Sequence, residues 1–336
     1  MRPLLHPCLL NGRKGDPALY IETLFEKHAV LFDLGDLSSL PPRKIQRLEH
    51  VFVSHTHIDH FIGFDRLLRV LTGRQKTLNL YGPTDFIEQV RHKLHAYRWN
   101  LVDRYAFDLV FVVTEIDPAL AVRKARFRLK NAFAVEEIAA DHVADGVICR
   151  ERGFRVSTAV LDHGTPCLAF AIEEAAHANI WKNKLSELGL QVGPWLHDLK
   201  RAVIENKPDD HTIRIASRGS EERQLGTLRN AVTVTPGQKI AYVTDVADTA
   251  TNRTAIIKLI QGADLLYIEA TFAHADAALA TERKHLTTTA AGSIARIAHV
   301  RRVEPFHFSP RYEGNEARML DEVASAFSGP TPEEAA

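Results

Sequence analysis

Ser54-His55-Thr56-His57-Ile58-Asp59-His60 places three imidazoles and a carboxylate within six residues, directly after the apolar run Val51-Phe52-Val53. Imidazole nitrogen and carboxylate oxygen are the donors that zinc and its first-row neighbours take in hydrolytic sites. A sharp turn leaving a strand aims alternate side chains at different points. His55 and His57 can therefore address one ion while Asp59 and His60 address a second. One histidine on an apolar face reads as a core residue with a satisfied hydrogen bond. Four ligand-type side chains at this spacing read as a metal centre.

The elements around this motif follow from periodicity. Leu19-Tyr20-Ile21 and Val30-Leu31-Phe32-Asp33 read as strands before it. Phe61, Phe64, Leu67, Leu68 and Leu71 keep helical spacing up to Gly73, which predicts a helix starting under the site. A strand over 77–81 and a helix from Thr84 towards Trp99 come next. Short strand-like runs dominate from Phe107 to Glu173, among them 109–113, 126–133, 147–150, 155–160 and 168–172, and these are expected to form a second sheet. The stretch 174–212 is polar, contains Gly193-Pro194-Trp195, and reads as an inserted arm. Strands over 239–244 and 265–269 and helices over 252–261, 287–299 and 314–327 complete the pattern. Strands followed by helices, twice over, suit an α/β protein with two sheets and helices outside.

Composition bounds the classes. With 336 residues, 45% apolar and 25% charged, the chain is long enough for a sizeable core, and disorder is excluded. It is expected to form a single domain over 1–336 that carries the arm. Lysine plus arginine and aspartate plus glutamate number 42 each, so a nucleic-acid partner must be held by a local patch. Cys8, Cys149 and Cys167 are odd in number and widely spaced, which argues against a disulfide framework and fits a reducing compartment. His6, Arg13, Lys14 and Asp16 interrupt the first twenty residues, unlike a signal peptide. No apolar run approaches the roughly twenty residues needed to cross a bilayer. A cytoplasmic protein is the expectation.

The His-x-His-x-Asp-His pattern resembles the signature of the metallo-β-lactamase superfamily. That resemblance implies an αββα sandwich, two mixed sheets packed face to face with helices outside, and further ligands downstream. For a third imidazole on the first ion, Leu161-Asp162-His163-Gly164 follows a predicted strand, and its glycine permits a tight fold against an ion. His142, in Ala140-Asp141-His142-Val143, is the rival. Asp245 ends the strand Ile240-Ala241-Tyr242-Val243-Thr244 and suits the carboxylate shared by two cations, whereas the nearby Asp248 reads as a helix cap. The last imidazole is His307, in Pro305-Phe306-His307-Phe308-Ser309-Pro310-Arg311-Tyr312.

His307-Phe308-Ser309-Pro310-Arg311-Tyr312 is similar to the final motif of ribonuclease Z, the endonuclease family that trims the 3′ end of precursor tRNA. The resemblance implies that Arg311 grips a phosphate with its planar fork and Tyr312 supports it. Ile268-Glu269-Ala270-Thr271-Phe272, followed by His285-Leu286-Thr287, looks like the segment that brings a non-ligand histidine over the metals. His285 is then the general acid and Asp59 the base or orienting group. The stretch from Leu188 to Pro194 is similar to the exosite that clasps tRNA, with Lys182, Lys184, Gly193, Pro194, Lys200 and Arg201 as RNA contacts. Further implications are two divalent cations, with zinc favoured over manganese or iron, and a homodimer acting on precursor tRNA through a metal-activated hydroxide. A hydrolase of the same superfamily acting on a small phosphodiester or other small ester is the alternative, and a binding protein without chemistry is the other class.

Overall fold

The computed structural model of the chain describes residues 4–24, 28–140, 145–217 and 219–329. Two compact units emerge, one of Met1–Glu151, Arg155–Glu173 and Lys239–Ala336, the other of Arg152–Phe154 and Glu174–Gln238.

The first unit opens with β1 (Leu5–Leu9), β2 (Leu19–Thr23), β3 (Ala29–Phe32), β4 (Leu48–Phe52), β5 (Lys76–Pro83), β6 (Leu109–Ile116), β7 (Val122–Arg128) and β8 (Val135–Ile138), which form one sheet in chain order. Pairing is antiparallel from β1 to β3, parallel from β3 to β6 and antiparallel from β6 to β8. Next come β9 (Val147–Arg150), β10 (Phe154–Asp162) and β11 (Pro166–Glu174). The second unit contributes β12 (His177–Ile180), β13 (Thr212–Ser217), β14 (Gly219–Gln224) and β15 (Val232–Thr235). The chain then returns through β16 (Lys239–Val243), β17 (Leu265–Glu269) and β18 (Val303–Phe306). A six-stranded sheet of order β18-β17-β16-β11-β10-β9 results, parallel across β16, β17 and β18 and antiparallel between β16 and β11.

Val51, Phe52 and Val53 are all buried because the eight-stranded sheet is covered on both faces. On the outer face Leu31 and Val51 join Phe64, Leu67, Phe86 and Val90 from the helices Phe64–Leu71 and Phe86–His95. Alternation along the strand sends Phe32 and Phe52 the other way. Phe32 lies 5.4 Å from Phe170 and 5.6 Å from Tyr242, and Phe52 lies 5.5 Å from Phe170, so the two sheets meet across an aromatic layer. Beyond the second sheet, Ala241, Val243, Leu266 and Ile268 pack with Ile256, Ala291, Ile294 and Met319. These last four come from the helices Ala250–Ile260, Thr288–Ile297 and Glu316–Ser328. The expected αββα sandwich is the architecture of this unit.

Three local expectations differ. The strands from 109 to 138 extend the first sheet instead of opening the second, because β6 pairs along its whole length with β5 and then doubles back through β7 and β8. The run 126–133 does not stay extended: β7 ends at Arg128, Leu129–Asn131 turns, and Ala132 and Phe133 take φ of 48° and 54°. The helix under the metal motif is also broken into Ile58–Phe61 and Phe64–Leu71. Gly63 sits at the break because a methyl there would stand 2.1 Å from the carbonyl oxygen of Gly35. Its N–H donates to Leu34 at 2.8 Å, and Leu34 N–H donates to the carbonyl of His60 at 2.9 Å, so the turn carrying the motif is tied to the loop after β3.

The second unit has an apolar cluster of its own, with Leu185, Trp195, Leu199, Ile213, Ile215, Leu225 and Leu228 at its centre. It leaves the first unit after β11 and rejoins at β16, where Glu173 pairs with Lys239 in antiparallel register. A tight turn would suffice to join those strands. No described helix is long and apolar enough to cross a membrane.

Candidate metal centre

The carboxyl ends of strands supply the chemistry, as is usual where parallel strands stop under open loops. His55, His57, Asp59 and His60 leave β4, Asp245 follows β16, Thr271 follows β17, His307 leaves β18, and His163 sits in the turn between β10 and β11. Asn252 holds two of these segments together. Its side chain accepts from Asp162 N–H at 3.1 Å and donates to the carbonyls of Asp162 and Ala247 at 2.9 and 2.8 Å. Ala247 N–H adds a bond to Asp162 at 2.9 Å.

His55, His57, His163 and Asp245 each present one donor atom within 4.8 Å of the others, and Asp59, His60, Asp245 and His307 do the same. Asp245 belongs to both sets. Nε2 of His55 and Nε2 of His60 are buried without a hydrogen-bond partner, although buried polar atoms are nearly always paired. His55 Nε2 is 3.7 Å from Asp245 Oδ2, while His60 Nε2 is 3.4 Å from both Asp59 Oδ2 and Asp245 Oδ2. His163 Nε2 is 3.5 Å from Asp245 Oδ2. Donors sharing one ion at the usual bond lengths stand roughly 3–3.6 Å apart. The orphaned nitrogens and their spacing fit divalent cations.

The other ring nitrogens are occupied, which fixes how the rings point. His60 Nδ1 donates to Asp33 Oδ2 at 2.9 Å, and Asp33 also accepts from Ser54 N–H at 2.6 Å, Ser54 Oγ at 2.9 Å and the Tyr242 hydroxyl at 2.8 Å. His163 Nδ1 donates to the carbonyl of Lys284 at 2.8 Å. Asp33, Asp245 and His307 adopt φ of 60°, 34° and 60°, a left-handed backbone that such residues hold only where surrounding contacts enforce it. Replacing Asp33 with asparagine removes the charge that orients His60 while tolerating that backbone. Metal affinity is expected to fall about 10–100-fold, read by competition with a chromophoric chelator, and an unchanged affinity would refute the orienting role.

Charge in the cluster is strongly coupled. Burial, then the neighbouring His60, push His55 down to about 2. Burial also lowers His57. His60 and His307 go the other way: burial opposes their charge, but Asp245 outweighs it with Asp33 at His60 and Asp59 at His307, which reaches about 10. Asp59 and Asp245 are held low, because against their burial stand His307 and His60. Without a cation, His60 and His307 therefore keep protons that a metal must displace.

His285 stands at the edge of the group. Its Nδ1 lies 3.1 Å from Oε2 of the fully buried Glu269, which also accepts from Val246 N–H at 2.7 Å and from the Thr271 hydroxyl at 2.6 Å. Its ring centroid is 4.8 Å from that of His163. Burial works against its charge, yet Glu269 raises it above the ordinary histidine value.

Other expectations fall elsewhere. His142 lies outside the described residues. Asp248 is neither ligand nor cap: it pairs with Arg253, and the adjoining Thr249 caps the helix by accepting from Asn252 N–H at 3.2 Å. Arg311 and Tyr312 stand beside Asp276, with Nη1 of Arg311 at 3.9 Å and the Tyr312 hydroxyl donating to the same carboxylate. Lys182 and Lys184 lie on the helix Lys182–Glu187, and Gly193 and Pro194 lead into Leu196–Ile204, which carries Lys200 and Arg201. Lys184 pairs with Glu187 at 3.0 Å and Arg201 with Asp198 at 2.8 Å, all within the second unit. A third ligand-type set, His50, Cys149 and Glu151, has both imidazole nitrogens engaged, Nδ1 3.4 Å from the Tyr81 hydroxyl and Nε2 3.2 Å from Glu151. Sequence reasoning missed Asp33, Tyr242 and Asn252. Only Asp33 left a signal, a carboxylate ending an apolar strand as Asp245 does.

No family model matches the chain. A ribonuclease Z of Deinococcus radiodurans is 31% identical over 330 residues, covering 96% of each protein. The crystal structure of the short form of human tRNase Z superposes with a TM-score of 0.53 at 17% identity, covering 92% of each chain. The metallo-β-lactamase fold protein YhfI of Bacillus subtilis gives 0.55 at 17% identity, over 96% of this chain and 92% of that one. At such identity the two structures speak for the fold, whereas the Deinococcus relative matches in sequence almost end to end. The chain belongs to the ribonuclease Z family, metal-dependent hydrolases built on the metallo-β-lactamase fold.

Proposed function

We propose that the protein cleaves the 3′ trailer from precursor tRNA by metal-dependent hydrolysis of one phosphodiester. The observation that carries this reading is the pair of donor sets sharing Asp245, with the His285–Glu269 pair at their edge. His55, His57, His163 and Asp245 would hold one cation, Asp59, His60, Asp245 and His307 a second, and zinc suits this mixture of imidazole and carboxylate. Two such cations supply an acidified water and positive charge opposite the phosphoryl oxygens.

The chain's own residues do the rest. Asp59, partly exposed beside His307, orients the attacking water and accepts its proton. Glu269 keeps a proton on His285, which His285 delivers to the departing ribose oxygen. Arg311 steadies the phosphate, with Tyr312 holding the turn against Asp276. The second unit provides the RNA contact through Lys182, Lys184, Gly193, Pro194, Lys200 and Arg201. A homodimer is part of the reading and is tested by the particle mass in light scattering.

The decisive comparison uses a 3′-extended precursor tRNA and bis(p-nitrophenyl) phosphate side by side. Replacing residues 175–237 with an Asn-Gly turn is expected to cripple cleavage of the tRNA and spare the small diester, because β11 and β16 already pair at that point. Cleavage of the small diester alone by the intact protein would favour a small-substrate hydrolase instead.

A further inference from the structure

Lys284 follows the helix Ala277–Arg283 in the left-handed region, at φ 58°. Its backbone and side chain do separate things. The carbonyl accepts from His163 Nδ1 at 2.8 Å and so helps to aim that ring. The side chain runs across Gly164, the residue after His163: a methyl on that glycine would lie 2.8 Å from Nζ and 3.1 Å from Cδ of Lys284. Gly164 itself has φ 84°, so both the turn and the overlying lysine require the missing side chain. The next residue is His285.

Charge balance sets this lysine apart from its neighbours. Arg253 is paired with Asp248, Arg283 lies 3.9 Å from Glu282, and Arg311 lies 3.9 Å from Asp276. Among the described residues, no carboxylate comes within the 4.0 Å of an ion pair to Lys284, and the side chain is exposed. An ammonium on a flexible stem, lying over the glycine that follows His163, can meet an anion there without breaking an ion pair.

We propose that Lys284 binds a non-bridging oxygen of the reacting phosphodiester, an assignment that rests on the phosphodiesterase reading above. Lys284→Asn removes the charge while keeping a residue tolerant of the left-handed backbone, and Lys284→Arg keeps the charge. With the metal-loaded full chain, Lys284→Asn is expected to raise KM for both precursor tRNA and bis(p-nitrophenyl) phosphate about fivefold to tenfold. The slope of log affinity for the tRNA against log salt should become shallower by about one. Lys284→Arg should restore most of the loss, and metal content by elemental analysis should equal that of the parent.

Unchanged KM for both substrates in Lys284→Asn would overturn the proposal. Loss of bound metal that arginine does not rescue would also overturn it, since the residue would then act only through His163. If the parent protein leaves precursor tRNA intact while Lys284→Asn still raises KM for the small diester, the tRNA reading fails and the assignment of Lys284 stands.

Discussion

Asp245→Asn is expected to lower turnover of precursor tRNA by at least about a thousandfold, equivalent to ~4 kcal/mol of lost transition-state stabilisation. Asp245 is the one side chain common to both donor sets, and its carboxylate faces His55, His60, His163 and His307 within 3.7 Å. An amide keeps the shape and the hydrogen bond from the Thr244 hydroxyl at 3.0 Å, so the variant should remain folded by circular dichroism. What it loses is the anionic charge that both donor sets share. Bound metal, measured by elemental analysis, should drop in parallel with activity. A variant that turned over at the parent rate would remove Asp245 from the centre.

His285→Ala is expected to cost about 10²–10⁴-fold in kcat with little loss of bound metal, because His285 is outside the two donor sets that share Asp245 and its Nδ1 is engaged by Glu269. The pH profile provides the sharper test. Against the burial that opposes its charge, Glu269 raises His285, so its proton is held to higher pH than that of an ordinary histidine and is lost as pH rises through the elevated pKa. A donor acts only while protonated, so kcat should fall on the alkaline side. Glu269→Gln removes the raising charge and keeps the shape, with one oxygen that can still accept from Val246 N–H and an amide nitrogen that can donate to the Thr271 hydroxyl. The alkaline limb of kcat should therefore move to lower pH. An unmoved limb, with kcat otherwise intact, would show that the proton comes from elsewhere.

Much of the centre was legible in the residue string because ligand types are scarce and their positions after apolar runs are distinctive. The compact motif at 55–60 needs no partner to be recognised, and His163, Asp245 and His307 each follow a strand-like run. What orients them was not legible. Asp33 and Tyr242 are 209 residues apart, and neither looks functional until the two sheets close and bring them to 2.8 Å. Asn252 reads as an ordinary helix residue until the turns it bridges are seen.

Periodicity also has a physical limit. An apolar run with turn signals is extended in any sheet, so 109–138 announced strands without announcing which sheet would take them. Pairing with β5 decided that, through hydrogen bonds between distant segments. The helix break at Gly63 came from contact with the Gly35 carbonyl, again outside any local window.

Side-chain type and local spacing, which are properties of the covalent chain, announced two sheets with helices outside and the candidate ligands at 55–60, and the motifs they form carried the resemblance that implied the αββα class and His285 as proton donor. Tertiary structure alone decided that Nε2 of His55 and of His60 is left unpaired, and that Asp33, Tyr242 and Asn252 hold the surrounding segments in place. Those depend on distances of a few ångströms between residues far apart in sequence, and electrostatic and hydrogen-bond energies change steeply over such distances.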